Sequence, residues 1–323
     1  MDDDYAVNGY EEEDHRFTKT NDTSQFTRTK DDSDDDSEKE DVKPEVKRRG
    51  RKKKEEEVEE VIIKVKEFDI NTMPPVSSSD YSGCKVVVVG KAGTGKSTLV
   101  QSIIAAKAHI CPALQVFNGT EESSQFYSKA CPNVLIYDKL DMDALVNFWK
   151  RQRVAMQYLE NAWAILIIDD CTDDPKQLRH PLIQAIYKNG RHWRALFILV
   201  LQYSLDILPS IRSNIDYTFI LRESSRKNRK KLYENYCPDV VNEQEFYAIL
   251  DACTENFSSV VVCNRTVSNK IEDCIFYYKA DPSMIPPTLR LGHQTCWQFN
   301  EERYDPTYVP NIMGATPGGG KKK

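Results

Sequence analysis

Apolar positions are scarce at the start of this chain, dense through its middle and sparse again at its end. From Met1 to about Asp80, acidic, basic and hydroxyl residues crowd out aliphatic ones, which predicts a disordered extension. Two local features interrupt it: residues 61–66 (Val-Ile-Ile-Lys-Val-Lys), a candidate short edge strand, and Met73-Pro74-Pro75, a linker signal. From Cys84 near-continuous apolar, β-rich runs recur at 85–89, 114–117, 134–137, 164–168, 196–201, 217–221 and 259–263, with 274–278 as a last candidate. Helical spacing fills most gaps. Over 142–159, Leu145, Phe148, Trp149, Met156 and Leu159 can share one face. Residues 180–190 predict a helix stopped by Asn189-Gly190, and 242–253 one with Phe246, Ile249 and Leu250 on its apolar side. Unbroken apolar strands alternating with helices predict an α/β fold: a mostly parallel sheet with helices on both faces. From Asp281 the chain turns proline-rich, with Trp297, Phe299, Tyr304 and Tyr308 spaced along an irregular tail that packs on the core or docks a neighbour. The pattern divides the chain into a charged extension over 1–80, an α/β domain over 81–280 and a tail over 281–323.

Composition narrows the function classes. The 323 residues carry a formal net charge of −6, so contact with nucleic acid has to come from local patches. One such patch is Lys47-Arg48-Arg49-Gly50-Arg51-Lys52-Lys53-Lys54, which fits a nuclear-import signal, a DNA-touching arm or a solvated charge run. Another, Arg226-Lys227-Asn228-Arg229-Lys230-Lys231, opens a predicted helix and fits either a phosphate grip or a solvated face. No apolar run reaches the roughly 20 residues that span a bilayer, and the acidic N-terminus is no signal peptide, so no transmembrane segment and a reducing compartment are expected. The nine cysteines stand singly, without a Cys-x-x-Cys pair, as small core residues rather than a disulfide or zinc framework.

The densest chemistry follows the first apolar run. Gly90-Lys91-Ala92-Gly93-Thr94-Gly95-Lys96-Ser97-Thr98 is G-x-x-x-x-G-K-[ST], with a strand pattern before it and a helix pattern after it. The glycines let the backbone curl until successive N–H groups point at one phosphate chain, and the helix adds its N-terminal dipole. Lys96 supplies positive charge for the terminal phosphates and Ser97 a hydroxyl for Mg²⁺. The motif implies a nucleoside triphosphate, ATP with Mg²⁺. About seventy residues on, the run at 164–168 ends in Asp169-Asp170, where such sites keep a metal-holding carboxylate and a water-orienting one. Asp173 and Asp174 are fallback carboxylates. The run at 196–201 ends in Gln202, either a plain strand end or an amide for the terminal phosphate or attacking water. Arg191 and Arg212, each just ahead of a strand, are candidates for a finger that reaches a neighbouring subunit's nucleotide.

Taken in order, 90–97, 165–170, Asn189-Gly190-Arg191-His192, the strand ending in Gln202 and the 209–216 segment resemble the genome-packaging ATPases of poxviruses and other nucleocytoplasmic large DNA viruses, members of the FtsK–HerA superfamily. The resemblance covers roughly 84–221. It implies a RecA-like (ASCE) P-loop NTPase with an added strand, assembly into a homo-oligomeric, often hexameric ring, and ATP-driven translocation of double-stranded DNA into a capsid. Partners would be that DNA and capsid or membrane proteins at the packaging site. The location implied is the infected host cell, at a viral factory in cytoplasm or nucleus, or the virion itself. The superfamily usually carries glutamate where this chain has Asp170, so the water must sit nearer or another carboxylate must help. Two other readings compete: a P-loop nucleotide kinase with 222–231 as its arginine-rich lid, and a nucleotide-dependent DNA-binding adaptor working through its charged arm.

Overall fold

The computed structural model describes residues 64–171, 176–203, 208–237 and 240–304. The acidic and basic blocks of the extension, Asp173, Asp174 and Tyr308 lie outside them.

In chain order the strands are β1 (Lys66–Glu67), β2 (Cys84–Val89), β3 (Ala113–Asn118), β4 (Ile136–Tyr137), β5 (Ala164–Asp169), β6 (Ala195–Leu201), β7 (Tyr217–Ile220), β8 (Ser258–Cys263) and β9 (Ile275–Lys279). The helices are α1 (Lys96–Lys107), α2 (Glu121–Ala130), α3 (Met142–Tyr158), α4 (Pro181–Asn189), α5 (Pro209–Arg212), α6 (Arg226–Tyr236), α7 (Glu243–Cys253), α8 (Ile271–Cys274) and α9 (Gln294–Arg303). Among the described residues the strands form one sheet, ordered β1-β9-β8-β7-β2-β6-β5-β3-β4. Every neighbouring pair is parallel except β7 with β8 and β8 with β9. All parallel strands therefore end on the same edge, and β8 begins there.

Every residue of β2, β5 and β6 is buried, so both faces of the central sheet are covered. Val86, Val88, Ile165, Ile167, Leu196 and Ile198 join Leu99, Val100, Ile103 and Ile104 of α1 in one core. The alternate residues face the other way, where the Tyr187 ring of α4 meets Phe197 edge-on at 5.3 Å. The predicted face of α3 holds at Leu145, Phe148 and Trp149. It then continues through Gln152 and Ala155, while Leu159 caps the helix and is exposed. Gln152 is fully buried because its amide donates to the carbonyls of Ala162 and Trp193 at 3.0 and 3.1 Å, which offsets the cost of hiding it.

The edge-strand signal at 61–66 is met within the described residues by β1, and packed structure continues from there through the stretch whose composition predicts disorder. Val65, Phe68, Ile70 and Met73 are buried, and β1 pairs with β9 as an edge strand. Phe68 meets the rings of Tyr217, Phe219 and Phe276 at 5.5, 5.9 and 5.7 Å. Burial of such a ring is worth about 1.5–3 kcal/mol, enough to hold a stretch whose own sequence has no period. Lys107 Nζ donates to the carbonyl of Asn71 at 3.1 Å, fastening this segment to the end of α1. Residues from Val65 to Met73 are thus packed against the sheet and α1. At the other end the proline-rich tail packs on the core as far as α9: the Leu291 N–H donates to the Ala130 carbonyl at 2.7 Å, and Trp297 Nε1 donates to the Leu291 carbonyl.

None of the nine cysteines forms a disulfide. Seven are buried, and Cys263 and Cys296 are half-buried. Burial pushes the Cys111 thiol up to about 12 and those of Cys84, Cys131 and Cys237 further still. Among the described residues no helix is long and apolar enough to cross a membrane.

Candidate functional site

The loop after β2 and the N-terminus of α1 form the floor of a cleft of about 870 Å³. Gly95 caps α1 with φ at +97°, a left-handed backbone that glycine adopts without a steric penalty and that aims the first N–H groups of the helix at the loop's interior. Lys96 Nζ donates to the carbonyls of Gly90 and Lys91 at 2.7 and 2.9 Å, so its charge is held inside the curl of the loop. Burial pulls its pKa down, and the fields of Asp169 and Asp170 oppose that shift. Ala92, Gly93, Gly95, Lys96, Ser97 and Thr98 all line the cleft. Thr94 instead closes the loop on itself, its hydroxyl donating to the Lys91 carbonyl at 2.7 Å. Gly90 sits tight under it, where an added Cβ would stand 2.7 Å from Thr94 Oγ1.

Asp169 ends β5 and is buried, whereas Asp170 is half-buried at a left-handed turn with φ at +50°. That turn brings its carbonyl against Gly119, where any Cβ would stand 2.2 Å away, so the tips of β3 and β5 meet backbone to backbone. Burial raises the Asp169 pKa to about 6, against the opposing effects of the Tyr127 hydrogen bond and Lys96. The Tyr127 hydroxyl, on α2 and itself buried, donates to Asp169 Oδ2 at 2.9 Å and fixes the carboxylate's rotation. Gln202 Nε2 donates to both oxygens of Asp170, at 2.7 and 2.6 Å. The P-loop, both aspartates and the glutamine therefore converge on one cleft, as their spacing predicts, with β6 lying between the P-loop strand β2 and the aspartate strand β5. A hydroxyl at Ser97 and a carboxylate at Asp169 are an all-oxygen donor set that suits Mg²⁺.

Arg191 and Arg212 do not join them. Neither lines the cleft. Arg191 lies just ahead of β6, at the opposite edge of the sheet, about 20 Å from the strand tips at the rise of a β-strand. There its Nη2 pairs with Asp216 Oδ1 at 3.1 Å. Asp216 is buried and also faces Lys85 at 3.4 Å and Arg265 at 3.8 Å, and its Oδ2 accepts the Lys85 N–H at 2.9 Å. Arg212 donates to the Asn235 side chain of α6. Any role of either arginine at a nucleotide would thus be toward another subunit. The segment that the kinase reading takes as its lid, 222–231, contributes no lining residue to the cleft, and its Arg229 is paired to Asp251 of α7.

The structure also adds residues that no motif marks. Lys91 pairs with the buried Glu223, just past β7, at 2.6 Å. Glu223 in turn accepts from the Ser225 N–H at 2.7 Å and the Asn228 amide at 3.0 Å, so one carboxylate joins the P-loop to the start of basic α6. Burial works to raise the Glu223 pKa, but these partners outweigh it and hold it below the usual glutamate value. Thr120 borders the cleft beyond β3, and Asn256, Phe257, Lys279, Ala280 and Pro282 wall its far side.

A parallel sheet with a strand inserted between the P-loop strand and the carboxylate strand, and that carboxylate facing the loop, defines a P-loop NTPase of the RecA-like (ASCE) class. Sequence comparison narrows it further. The chain is 42% identical over 226 residues to the uncharacterized protein 088R of Invertebrate iridescent virus 3, covering 69% of this chain and 87% of that one. It is 37% identical over 251 residues to protein 075L of Invertebrate iridescent virus 6, covering 76% and 97%. The chain therefore belongs to the family of these proteins, from the nucleocytoplasmic large DNA viruses to which the sequence resemblance pointed. No protein-family model matches it. Among solved structures, it is similar to B204, the DNA-packaging ATPase of Sulfolobus turreted icosahedral virus, at 17% identity and a TM-score of 0.48 over 62% of this chain and 98% of B204.

Proposed function

We propose that this protein is an ATP-hydrolysing motor that moves double-stranded viral DNA into the capsid during virion assembly. The observation that carries the reading is the convergence of Lys96, Asp169, Asp170 and Gln202 on one cleft from the ends of three strands. In this reading the P-loop N–H groups and Lys96 bind the phosphate chain, Lys96 exchanging its carbonyl partners for phosphate oxygens. Ser97 and Asp169 hold Mg²⁺, which when bound neutralises charge building on the phosphates. Asp170 orients and deprotonates the attacking water, and Gln202, fixed across both its oxygens, keeps that carboxylate aimed. The Lys91–Glu223–Asn228 connection ties the loop to a basic helix suited to phosphate backbones, a route by which the state of the nucleotide alters DNA grip. Membership in a large-DNA-virus family supports the packaging role. A homo-oligomeric ring, hexameric in keeping with the resemblance, would bring Arg191 or Arg212 to the next subunit's nucleotide. Capsid or membrane proteins at the packaging site, and a viral factory or the virion as location, complete the proposal.

The test is steady-state ATP hydrolysis by the full chain with and without double-stranded DNA, beside Lys96→Ala. Stimulation of several-fold that the variant abolishes supports the motor. Hydrolysis indifferent to DNA across a salt series removes the packaging role and leaves an ATPase of another kind. Phosphate transfer to a small acceptor would instead favour the kinase.

A further inference from the structure

The cleft has two unlike ends, and the sheet order says which is which. The reactive groups Asp169, Asp170 and Gln202 come from β5 and β6, on one side of the P-loop strand. On the other side the sheet continues through β7, β8 and β9, and the cleft wall there is Asn256-Phe257, leading into β8, with Lys279, Ala280 and Pro282 after β9. A phosphate chain whose terminal end points at the aspartates must carry its ribose and base toward this second side. β8 lies two inter-strand spacings from β2, about 10 Å, within reach of a ribose and base.

Phe257 is unusual in three ways at that position. It is 68% exposed, although it is a large apolar ring. It holds a left-handed backbone, φ at +66°, directly after Asn256 at +51°, a conformation costly for an aromatic residue. And it sits against the P-loop itself: a methyl group on Gly95 would stand 3.4 Å from both Cβ and Cδ1 of Phe257. Its ring stacks on no other aromatic among the described residues. A strained turn that presents an open ring beside a phosphate loop has the form of a stacking surface.

We propose that Phe257 is the platform for the nucleobase, stacking on the base of a purine nucleoside triphosphate whose phosphates occupy the P-loop. This rests on the nucleotide-binding reading above and assigns the half of the cleft that the P-loop motif leaves undescribed. Base stacking is sequence-tolerant, so the platform supplies affinity, while hydrogen bonding from neighbours such as Asn256 is left to distinguish one purine from another.

Calorimetric binding of ATP and of inorganic tripolyphosphate to the full-length protein tests it. Phe257→Ala and Phe257→Gly should weaken ATP about tenfold or more and leave tripolyphosphate within twofold of wild type, and Phe257→Trp should restore ATP binding. The glycine variant relieves the left-handed strain, so its melting temperature should not fall, which separates loss of the ring from damage to the fold. Unchanged ATP affinity in both truncations, or equal loss for both ligands, overturns the platform. If tripolyphosphate binds the wild type as tightly as ATP does, there is no base subsite. If the wild type binds neither, the nucleotide reading itself fails, a different result from failure of the platform alone.

Discussion

The two edges of the sheet use the same kinds of charge in opposite ways. At the edge where β6 and β7 begin, Asp216 is buried and surrounded by Lys85, Arg191 and Arg265, so its charge is consumed inside the protein. At the edge where β2, β5 and β6 end, Asp170 is half-buried, left-handed and held from its flank by Gln202, and Lys96 rests on two carbonyls that a stronger acceptor can replace. The first arrangement costs much to disturb and offers nothing to a ligand in this subunit's own cleft, which Arg191 does not line. The second is under strain and open to one. An arginine's neighbours, more than its position before a strand, decide which of these jobs it does, and Arg191 is the case in point.

The contrast can be broken most sharply at Asp216. Asp216→Ala leaves the buried Lys85 without a counter-charge and should cost about 3–5 kcal/mol in denaturant unfolding. A variant that unfolds at the wild-type midpoint would mean that this edge is not structural. At the other edge Asp170→Asn should lower hydrolysis by about 10²–10³-fold while nucleotide affinity and melting stay near wild type. Residual hydrolysis close to wild type would shift the role to Asp173 or Asp174. Glu223→Gln tests the junction between loop and basic helix and should cost about 1–2 kcal/mol at neutral pH. Because the folded protein holds Glu223 below its usual pKa, that contribution is complete above the unfolded value and disappears as pH falls through the lowered folded one, so wild-type and variant stabilities should converge toward acid. A gap that persists at low pH would assign the effect to packing instead. The smallest effect is expected at Tyr127→Phe, about 1 kcal/mol or less of stability, with a measurable weakening of Mg²⁺ dependence in hydrolysis because Asp169 loses the group that fixes its rotation.

Much of the candidate nucleotide site was legible in the sequence because it is built from strand tips. The period of an apolar run says where it stops, and the polar residue that follows, as at Asp169 and Gln202, lands on the rim. Phe257 and Lys279 were not legible. They reach the cleft through pairing of β8 with β7 and of β9 with β8, and no local pattern records which distant strands will meet. Tyr127 belongs to a helix without a motif, and only the folded chain shows its hydroxyl arriving at Asp169. Between Val65 and Met73 only the edge strand was legible, from the signal at 61–66, and the packing around it was not, for a related reason. Four apolar residues among charges give no period, and their order comes from an edge that β9 provides and a pocket of rings around Phe68. For Arg191 the sequence offered the position but hid the partner, which lies 25 residues further on.

The depth at which the thiols sit has a practical side. A maleimide added to the folded protein meets Cys263 and Cys296 first, since the others are buried and several are further deactivated by their raised pKa. Each remaining cysteine becomes alkylated only as its own segment opens. Cys171 adjoins Asp170, Cys84 begins the P-loop strand and Cys253 ends α7. With mass-spectrometric readout, the natural sequence therefore carries its own graded set of labels, able to time how the tip of β5, the central sheet and the outer helices loosen when nucleotide is added, without a single engineered residue.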